Sequence, residues 1–243
     1  MKLRALLFAL ALPVSLALGG CAADASDDVD DADDADGESG EAAQELVLRG
    51  YTEPTSAHRD AARTRFAHVD PNGVVPRALL DNALAFVVAN TQRVNHEDYV
   101  GVIDYAKHSG KKRFFVVNLE SGAVSAHVVA HGSGSDPGNS GFAKSFGNVS
   151  GSNRTSLGYF LTAETYYGRA GYSLRLDGVS DTNSRARGRN IVIHGASYVD
   201  SWRTKQGRSW GCPAVPEGER NDIIRKLRDG RVIYAERSDV IDG

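Results

Sequence analysis

The most constraining feature of this chain is a succession of short β-branched and aromatic runs between Tyr99 and Glu236, broken by glycine-rich and polar segments. Tyr99–Tyr105, Arg113–Leu119 and Ala123–His131 are rich in Val, Ile, Phe and Tyr, and Glu120-Ser121-Gly122 punctuates the last two as a hairpin turn. Gly158–Thr162, Tyr172–Leu176, Asn190–Ile193 and Arg231–Glu236 are further predicted strands. Helical spacing is confined to fewer places. Leu79, Leu80, Ala83, Leu84, Val87 and Val88 recur at that spacing over Val75–Asn90, with Pro76 suited to a first turn. A weaker helix is predicted over Ser56–Phe66. A late one, Glu217–Arg228, lies between Pro216 and Gly230 with Ile223, Ile224 and Leu227 as its buried stripe. Many short strands with few helices predict a mostly β (α+β) domain. No repeat of 20–50 residues is apparent.

With 243 residues, 41% of them apolar, the chain can bury a sizeable core in one or two domains and is not a disordered polymer. It has no 18-residue apolar run of the kind that marks a permanent membrane span. Two cysteines exclude a disulfide framework and a Cys-rich zinc site. The net charge of −3 conceals a division. Eleven of the 31 acidic residues lie between Asp24 and Glu45, with no Lys or Arg among them. From Leu46 onward there are 26 basic and 20 acidic residues, a net of +6.

Lys2 and Arg4 precede the apolar run Ala5–Leu18, which as a helix would span roughly 21 Å against a hydrocarbon core of ~30 Å. It reads as a signal peptide over residues 1–20 rather than a span. Its end, Leu18-Gly19-Gly20-Cys21, resembles a bacterial lipobox, in which Cys21 is lipidated and becomes the mature N-terminus. The alternative is an ordinary signal cut that leaves Cys21 an incidental thiol. Ala22 rather than Asp after the cysteine favours, in enteric bacteria, the outer membrane. The expectation is thus an exported lipoprotein, anchored to the membrane and facing the periplasm and cell wall. Residues 22–45 cannot offset their ordering entropy and are predicted to form a disordered acidic tether, reaching about 27 Å root-mean-square as a coil. Residues 46–95 are predicted as a helical segment packing on a domain over 96–237.

Gly132–Gly158 is a 27-residue linker with seven Gly and seven Ser. Its Gly-Ser-Gly-Ser-Asp-Pro-Gly portion lacks the Gly-Lys-Ser/Thr ending of a phosphate loop, which excludes nucleotide binding on that pattern. One constellation carries chemistry. Ile191-Val192-Ile193-His194-Gly195 ends an apolar strand in a histidine, and 17 residues separate His194 from Cys212 in Arg208-Ser209-Trp210-Gly211-Cys212-Pro213. A nearby helix amino terminus and an adjacent imidazole would both favour the thiolate. At a pKa of ~8.5 about 3% of a thiol is ionised at neutral pH, whereas at ~6.5 about three quarters is. Spacing alone leaves equally open a buried structural cysteine and a core histidine.

His194-Gly195 followed by Ser209-x-Gly211-Cys212 resembles the YkuD-type L,D-transpeptidase signature. Val102-Ile103-Asp104-Tyr105, Arg113-Phe114-Phe115-Val116-Val117, Ser156-Leu157-Gly158-Tyr159-Phe160 and Tyr172-Ser173-Leu174-Arg175-Leu176-Asp177-Gly178 resemble its murein L,D-transpeptidase catalytic-domain-like subgroup, over roughly Val75–Glu236. The resemblance implies a YkuD-like β-sandwich or barrel, with an N-terminal helical segment and one helix after the cysteine. It also implies peptidoglycan stem peptides as partners and no cofactor. Cys212 would form a thioester with the stem peptide, expelling the terminal D-residue, and an amine from a second stem would resolve it. His194 would be the base, oriented by a backbone carbonyl near Gly195, with N–H groups at Gly211 and Cys212 for the oxyanion. Water in place of the amine would make a carboxypeptidase or endopeptidase, and loss of activity would leave a wall-binding lipoprotein.

Two positions depart from the family pattern. Trp210 stands where many members have His, and Ala214 where Arg or Asn is usual. Arg175, Arg187 and Arg208 are the candidates to bind stem carboxylates instead, with Ser209 and Trp210 beside them. Any of these arginines could equally be a solvated surface charge. His127 and His131 form His-x-x-x-His, but on a strand they lie ~13 Å apart, too far to share a metal ion. Tyr159, Phe160, Tyr166, Tyr167 and Tyr172 could line a sugar or peptide groove or fill the strand core. An exported basic domain suits an acidic wall polymer rather than nucleic acid.

Overall fold

The computed structural model describes residues 50–241, so the predicted signal peptide, Cys21 and the tether lie outside the described residues. Two helices come first, α1 (Ser56–Arg65) and α2 (Arg77–Ala89). Strands β1 (Tyr99–Asp104), β2 (Phe114–Asn118), β3 (Val124–His127) and β4 (His131–Gly132) follow. Then come β5 (Gly158–Gly168), β6 (Gly171–Gly178), β7 (Val192–Ala196), β8 (Arg208–Ser209) and β9 (Ala214–Pro216). Helix α3 (Glu217–Leu227), β10 (Val232–Glu236) and a final turn of helix, α4 (Ser238–Ile241), complete the chain.

Eight strands form one mixed sheet in the order β3-β2-β1-β10-β5-β6-β7-β9, and β4 pairs with β8. The β1–β10 and β7–β9 pairs are parallel and the others in the large sheet antiparallel. The sheet curls into a nearly closed barrel. Its two ends approach where the Ala130 N–H donates to the Ala214 carbonyl at 2.8 Å.

Period-2 alternation fills both faces. Phe114, Val116, Phe160, Ile233 and Ala235 point inward with Ile223, Ile224 and Leu227 of α3, which plugs the barrel. Gly101 makes room for the plug: a Cβ there would stand 3.0 Å from Ile233 and 3.4 Å from Leu227. Val100, Val102, Phe115, Val117, Tyr159 and Tyr234 face outward under α2. Tyr159 stacks between Phe86 and Tyr234, with ring centroids 4.4 Å away on each side. Among the described residues no helix is long and apolar enough to cross a membrane.

The predicted helices and most strands stand where the pattern places them, and three differences have physical causes. Ala123–His131 is not one strand. The fully buried Arg113 guanidinium bonds the Val129 carbonyl through Nε (3.1 Å) and Nη2 (2.8 Å), lifting the chain out of β3 toward β9. β5 runs past Thr162 to Gly168 across an irregularity between Thr162 and Thr165, then returns as β6 through Arg169-Ala170 and Gly171 at φ +76°. β7 starts at Val192 rather than Asn190, because Asn190 adopts a left-handed conformation at φ +52°. The tiny strands β8 and β9 carry no pattern long enough to predict.

The Gly/Ser loop packs closely against the barrel. Asp136 accepts from the Ser140 and Gly141 N–H groups (2.9 and 2.7 Å), and Thr155 Oγ1 accepts from the Gly132 N–H at 2.8 Å. His131 is buried, with Nδ1 2.8 Å from Arg113 Nη2 and Nε2 3.5 Å from Asp136 Oδ2. Burial, then the Arg113 charge, push its pKa down to about 3, against the opposing pull of Asp136. The unfolded chain therefore takes up this proton below about 6.5 and the folded chain only below about 3. Between those values the unfolded state holds more protons, so stability falls as pH drops, by up to ~1.4 kcal/mol per pH unit. His131→Gln should flatten that slope by about one proton, measured as urea midpoints from near neutrality down to pH ~4; an unchanged slope removes His131 as its source.

Candidate active site

The pairing of β7 with β9 brings the His194 strand beside the segment that follows Cys212. The parallel register sets His194 opposite Ala214, two residues beyond Cys212. Both side chains are buried, Cys212 among the apolar groups that line the barrel. His194 Nδ1 lies 3.1 Å from the Gly195 carbonyl oxygen. That oxygen can only accept, so Nδ1 carries the hydrogen and Nε2 the lone pair. Gly195 is required by packing, since a Cβ would stand 3.0 Å from Arg220 Cδ and 3.1 Å from Glu217 Cα.

The turn that presents the cysteine is held from within. Buried Ser209 donates Oγ–H to the Cys212 carbonyl at 2.7 Å and accepts the Gly211 N–H at 3.1 Å. Gly211 has φ +129°, a region that favours glycine, and a Cβ there would meet the Arg154 carbonyl at 2.9 Å. From the other side Gly132 of β4 presses on the same residue, where its own Cβ would be 2.9 Å from Gly211 N. The thiol donates to the Asn190 carbonyl, Sγ to oxygen 3.5 Å.

The nominated arginines lie in different settings. Arg187 is committed to an ion-pair cluster with Asp177 and Glu164, and these two carboxylates raise its pKa. Arg175 pairs with Glu164 (3.2 Å), stacks over Tyr166 (4.4 Å) and donates to the Asn190 side chain (3.2 Å), so it touches the residue whose carbonyl holds the thiol. Arg208 donates to the Asp136 carbonyl at 2.5 Å from β8. Trp210 is half-buried in the cysteine turn. Of the aromatics, Tyr159 and Phe160 are core. Tyr167 is 84% exposed at the β5–β6 tip, its ring centroid 5.1 Å from that of Tyr172. His127 bonds Glu219 and Ser125. Among the described residues no group of three His, Cys, Asp or Glu side chains gathers as a metal site.

The sequence pattern sets a helix amino terminus near the cysteine, and α3 begins at the predicted Glu217. Extended β9 intervenes before α3 starts at Glu217, and helix-end charge fades beyond the first turn. Spacing missed two features. A groove of about 600 Å³ runs past His194 and Gly195 between the hairpin tip at Arg169 and the start of α3 at Glu217 and Arg220. Arg189 packs against Gly211, with its Nη2 3.2 Å from the Cβ that Gly211 lacks. Neither could have been found from spacing, because the folded chain alone brings these residues to the site.

The family model of the L,D-transpeptidase catalytic domain, YkuD_2, matches residues 72–235. Among solved structures, the chain is similar to the L,D-transpeptidase of Mycobacterium smegmatis at 14% identity over 57% of this chain and 58% of that one, with a TM-score of 0.35. It is similar to L,D-transpeptidase 1 of Mycobacterium tuberculosis at 13% identity over 57% and 61%, TM-score 0.33. It is also similar to the helical cell shape determining protein Pgp2 of Campylobacter jejuni at 14% identity over 57% and 47%, TM-score 0.33. The chain thus spans less than two thirds of the length of each of these structures. No curated protein matches it. With two thirds of its residues under the family model, the chain belongs to the L,D-transpeptidase catalytic-domain family.

Proposed function

We propose that the protein is a cysteine L,D-transpeptidase acting on peptidoglycan stem peptides, with Cys212 as nucleophile and His194 as base. The observation that carries this reading is the β7–β9 register, which sets an imidazole with its lone pair on Nε2 beside the cysteine turn. His194 Nε2 takes the thiol proton, and Sγ attacks the stem-peptide carbonyl. The C–N bond breaks, the amine of the D-residue leaves with that proton, and a thioester remains. The acceptor amine then attacks the thioester and gives its proton to His194, the C–S bond breaks, and Cys212 is regenerated as that proton returns to sulfur. The resting Gly211 N–H is engaged by Ser209 Oγ, so the Cys212 N–H is the oxyanion donor in this reading.

Arg169 and Arg220 flank the groove opposite Glu217. Among the described residues neither arginine is held in an ion pair, and Arg220 Nε donates to the neutral Asn221 side chain at 3.2 Å. This arrangement suits a stem peptide, whose diaminopimelate end carries carboxylate and ammonium together. Upstream, the signal peptide, Cys21 lipidation and acidic tether would hold a basic domain against the wall.

Incubation with a carbapenem should add one drug mass to the intact protein, and Cys212→Ala should lose the adduct. A folded, reduced protein that takes up none sinks the enzyme reading, and muropeptide analysis then separates transfer from hydrolysis. Arg220→Gln should lower kcat/KM for muropeptides about tenfold, the value of one charge-assisted hydrogen bond, while alkylation of Cys212 is unchanged; equal kcat/KM takes the carboxylate off Arg220. Cys21→Ser should move the protein from the membrane to the soluble fraction on cell fractionation, and retention in the membrane would remove the lipid anchor.

A further inference from the structure

One cation beside the nucleophile has no task in the scheme above. Arg189 sits in the segment before β7, half-buried, and three hydrogen bonds hold its guanidinium. Nη1 donates to the Gly147 carbonyl (3.0 Å) and Ser156 Oγ (2.6 Å), and Nη2 to the Arg154 carbonyl (2.6 Å). All three partners are neutral, and among the described residues no carboxylate pairs with it. Such a charge keeps its full attraction for an anion. Gly211 also lies beside it, where a Cβ would stand 3.2 Å from Nη2. The next residue, Asn190, is left-handed at φ +52° and accepts the thiol hydrogen on its carbonyl at 3.5 Å. Two consecutive residues therefore lie against the cysteine turn, Arg189 with its cation beside Gly211 and Asn190 with an acceptor for the thiol.

From this we infer that Arg189 is the electrostatic partner of the Cys212 thiolate. The inference rests on the nucleophile assigned above, but on no particular acceptor. In the resting protein the Asn190 carbonyl favours the protonated thiol. Once the proton passes to His194, that oxygen repels the sulfur and the guanidinium attracts it. Alternative sources of positive charge are poorly placed. Helix α3 begins only after β9, and position 214 is a buried alanine in an apolar cluster with Val128, Ala130 and Tyr198. Burial lowers the Arg189 pKa, and the charge interaction opposing that is with Cys212.

Other groups face the sulfur from each neighbouring element. His194 comes from β7, and Tyr105 follows β1 with its hydroxyl kept neutral by burial. Arg113 stands behind that ring at 5.1 Å. Arg175 reaches only the Asn190 side chain, and Arg154 contributes its carbonyl alone.

The test follows iodoacetamide alkylation of Cys212 in the full chain across pH, by mass mapping of the peptide that contains it. Arg189→Gln should displace the midpoint to higher pH by about one unit and slow alkylation near neutrality about tenfold, as expected for removing an opposite charge at short range. Arg189→Lys should restore most of the rate. Ser156→Ala removes the 2.6 Å tie but keeps the cation, so its midpoint should match the wild type. Ser156→Asp sets a carboxylate against the guanidinium and should reproduce the displacement, including where Arg189→Gln does not fold. A wild-type midpoint in Ser156→Asp or in folded Arg189→Gln overturns the inference, as does an equal displacement in Ser156→Ala. The thiol profile needs no substrate. A normal Arg189-dependent profile in a protein that takes up no carbapenem would sink the enzyme reading alone.

Discussion

A fully buried guanidinium sets the frame in which the site is built. Removing a charge from water costs several kcal/mol, and burial lowers the Arg113 pKa to about 10, which still leaves it protonated at neutral pH. Its donors meet two backbone carbonyls, of Val129 and Lys107, and the His131 imidazole. An apolar side chain could fill that space but could not accept the role of a sheet neighbour. Because Arg113 takes the Val129 carbonyl, the chain leaves β3, and Ala130 reaches Ala214 instead. The same departure carries His131 and Gly132 alongside Arg208 and Ser209. The closure of the barrel and the floor beneath the cysteine turn thus share one cause.

Crowding then does the rest. Gly132 packs on the Gly211 backbone, where a Cβ on Gly132 would stand 2.9 Å from Gly211 N, and a Cβ on Gly211 would meet the Arg154 carbonyl at 2.9 Å. Ser209 satisfies both ends of the turn within three residues, leaving the Cys212 carbonyl no freedom to rotate. The Gly/Ser loop, long enough to be mobile on composition alone, is fixed by Asp136, Thr155 and the Arg189 guanidinium. Its small residues allow the close approach that brings Arg154 and Asn153 carbonyls against those two glycines. A side chain presented by a turn held this tightly has little orientational entropy left to lose.

Much of this was legible in the sequence, and the limits have physical reasons. The strands from Tyr99 to Asn118 and the helix Arg77–Ala89 follow from periodicity, because both faces of that sheet bury side chains. His194 and Cys212 were legible through spacing and a resemblance, since their residue types are scarce and chemically specific. The partners of the arginines were not. Arg187 stands in the basic run at 185–189 and Arg175 within β6, yet Glu164 pairs with both and Asp177 with Arg187. Arg189 has the same composition and a different fate, because no carboxylate reaches it. Whether an arginine is spent or available depends on cross-strand neighbours, which local pattern does not encode. The split of Ala123–His131 has the same origin: its cause is a side chain 16 residues away.

The partners of the histidine and the cysteine are neutral, and this bears on when the proton moves. A backbone carbonyl fixes the His194 tautomer, as a carboxylate would, but it stabilises an imidazolium less. The Asn190 carbonyl, for its part, prefers the thiol to the thiolate. Arg189, in the inference above, favours the ionised sulfur from beside Gly211. In the proposed reaction the balance tips when a substrate carbonyl offers the sulfur an electrophile beside His194. In the proposed reading, a buried thiol arranged in this way is quiet until substrate arrives.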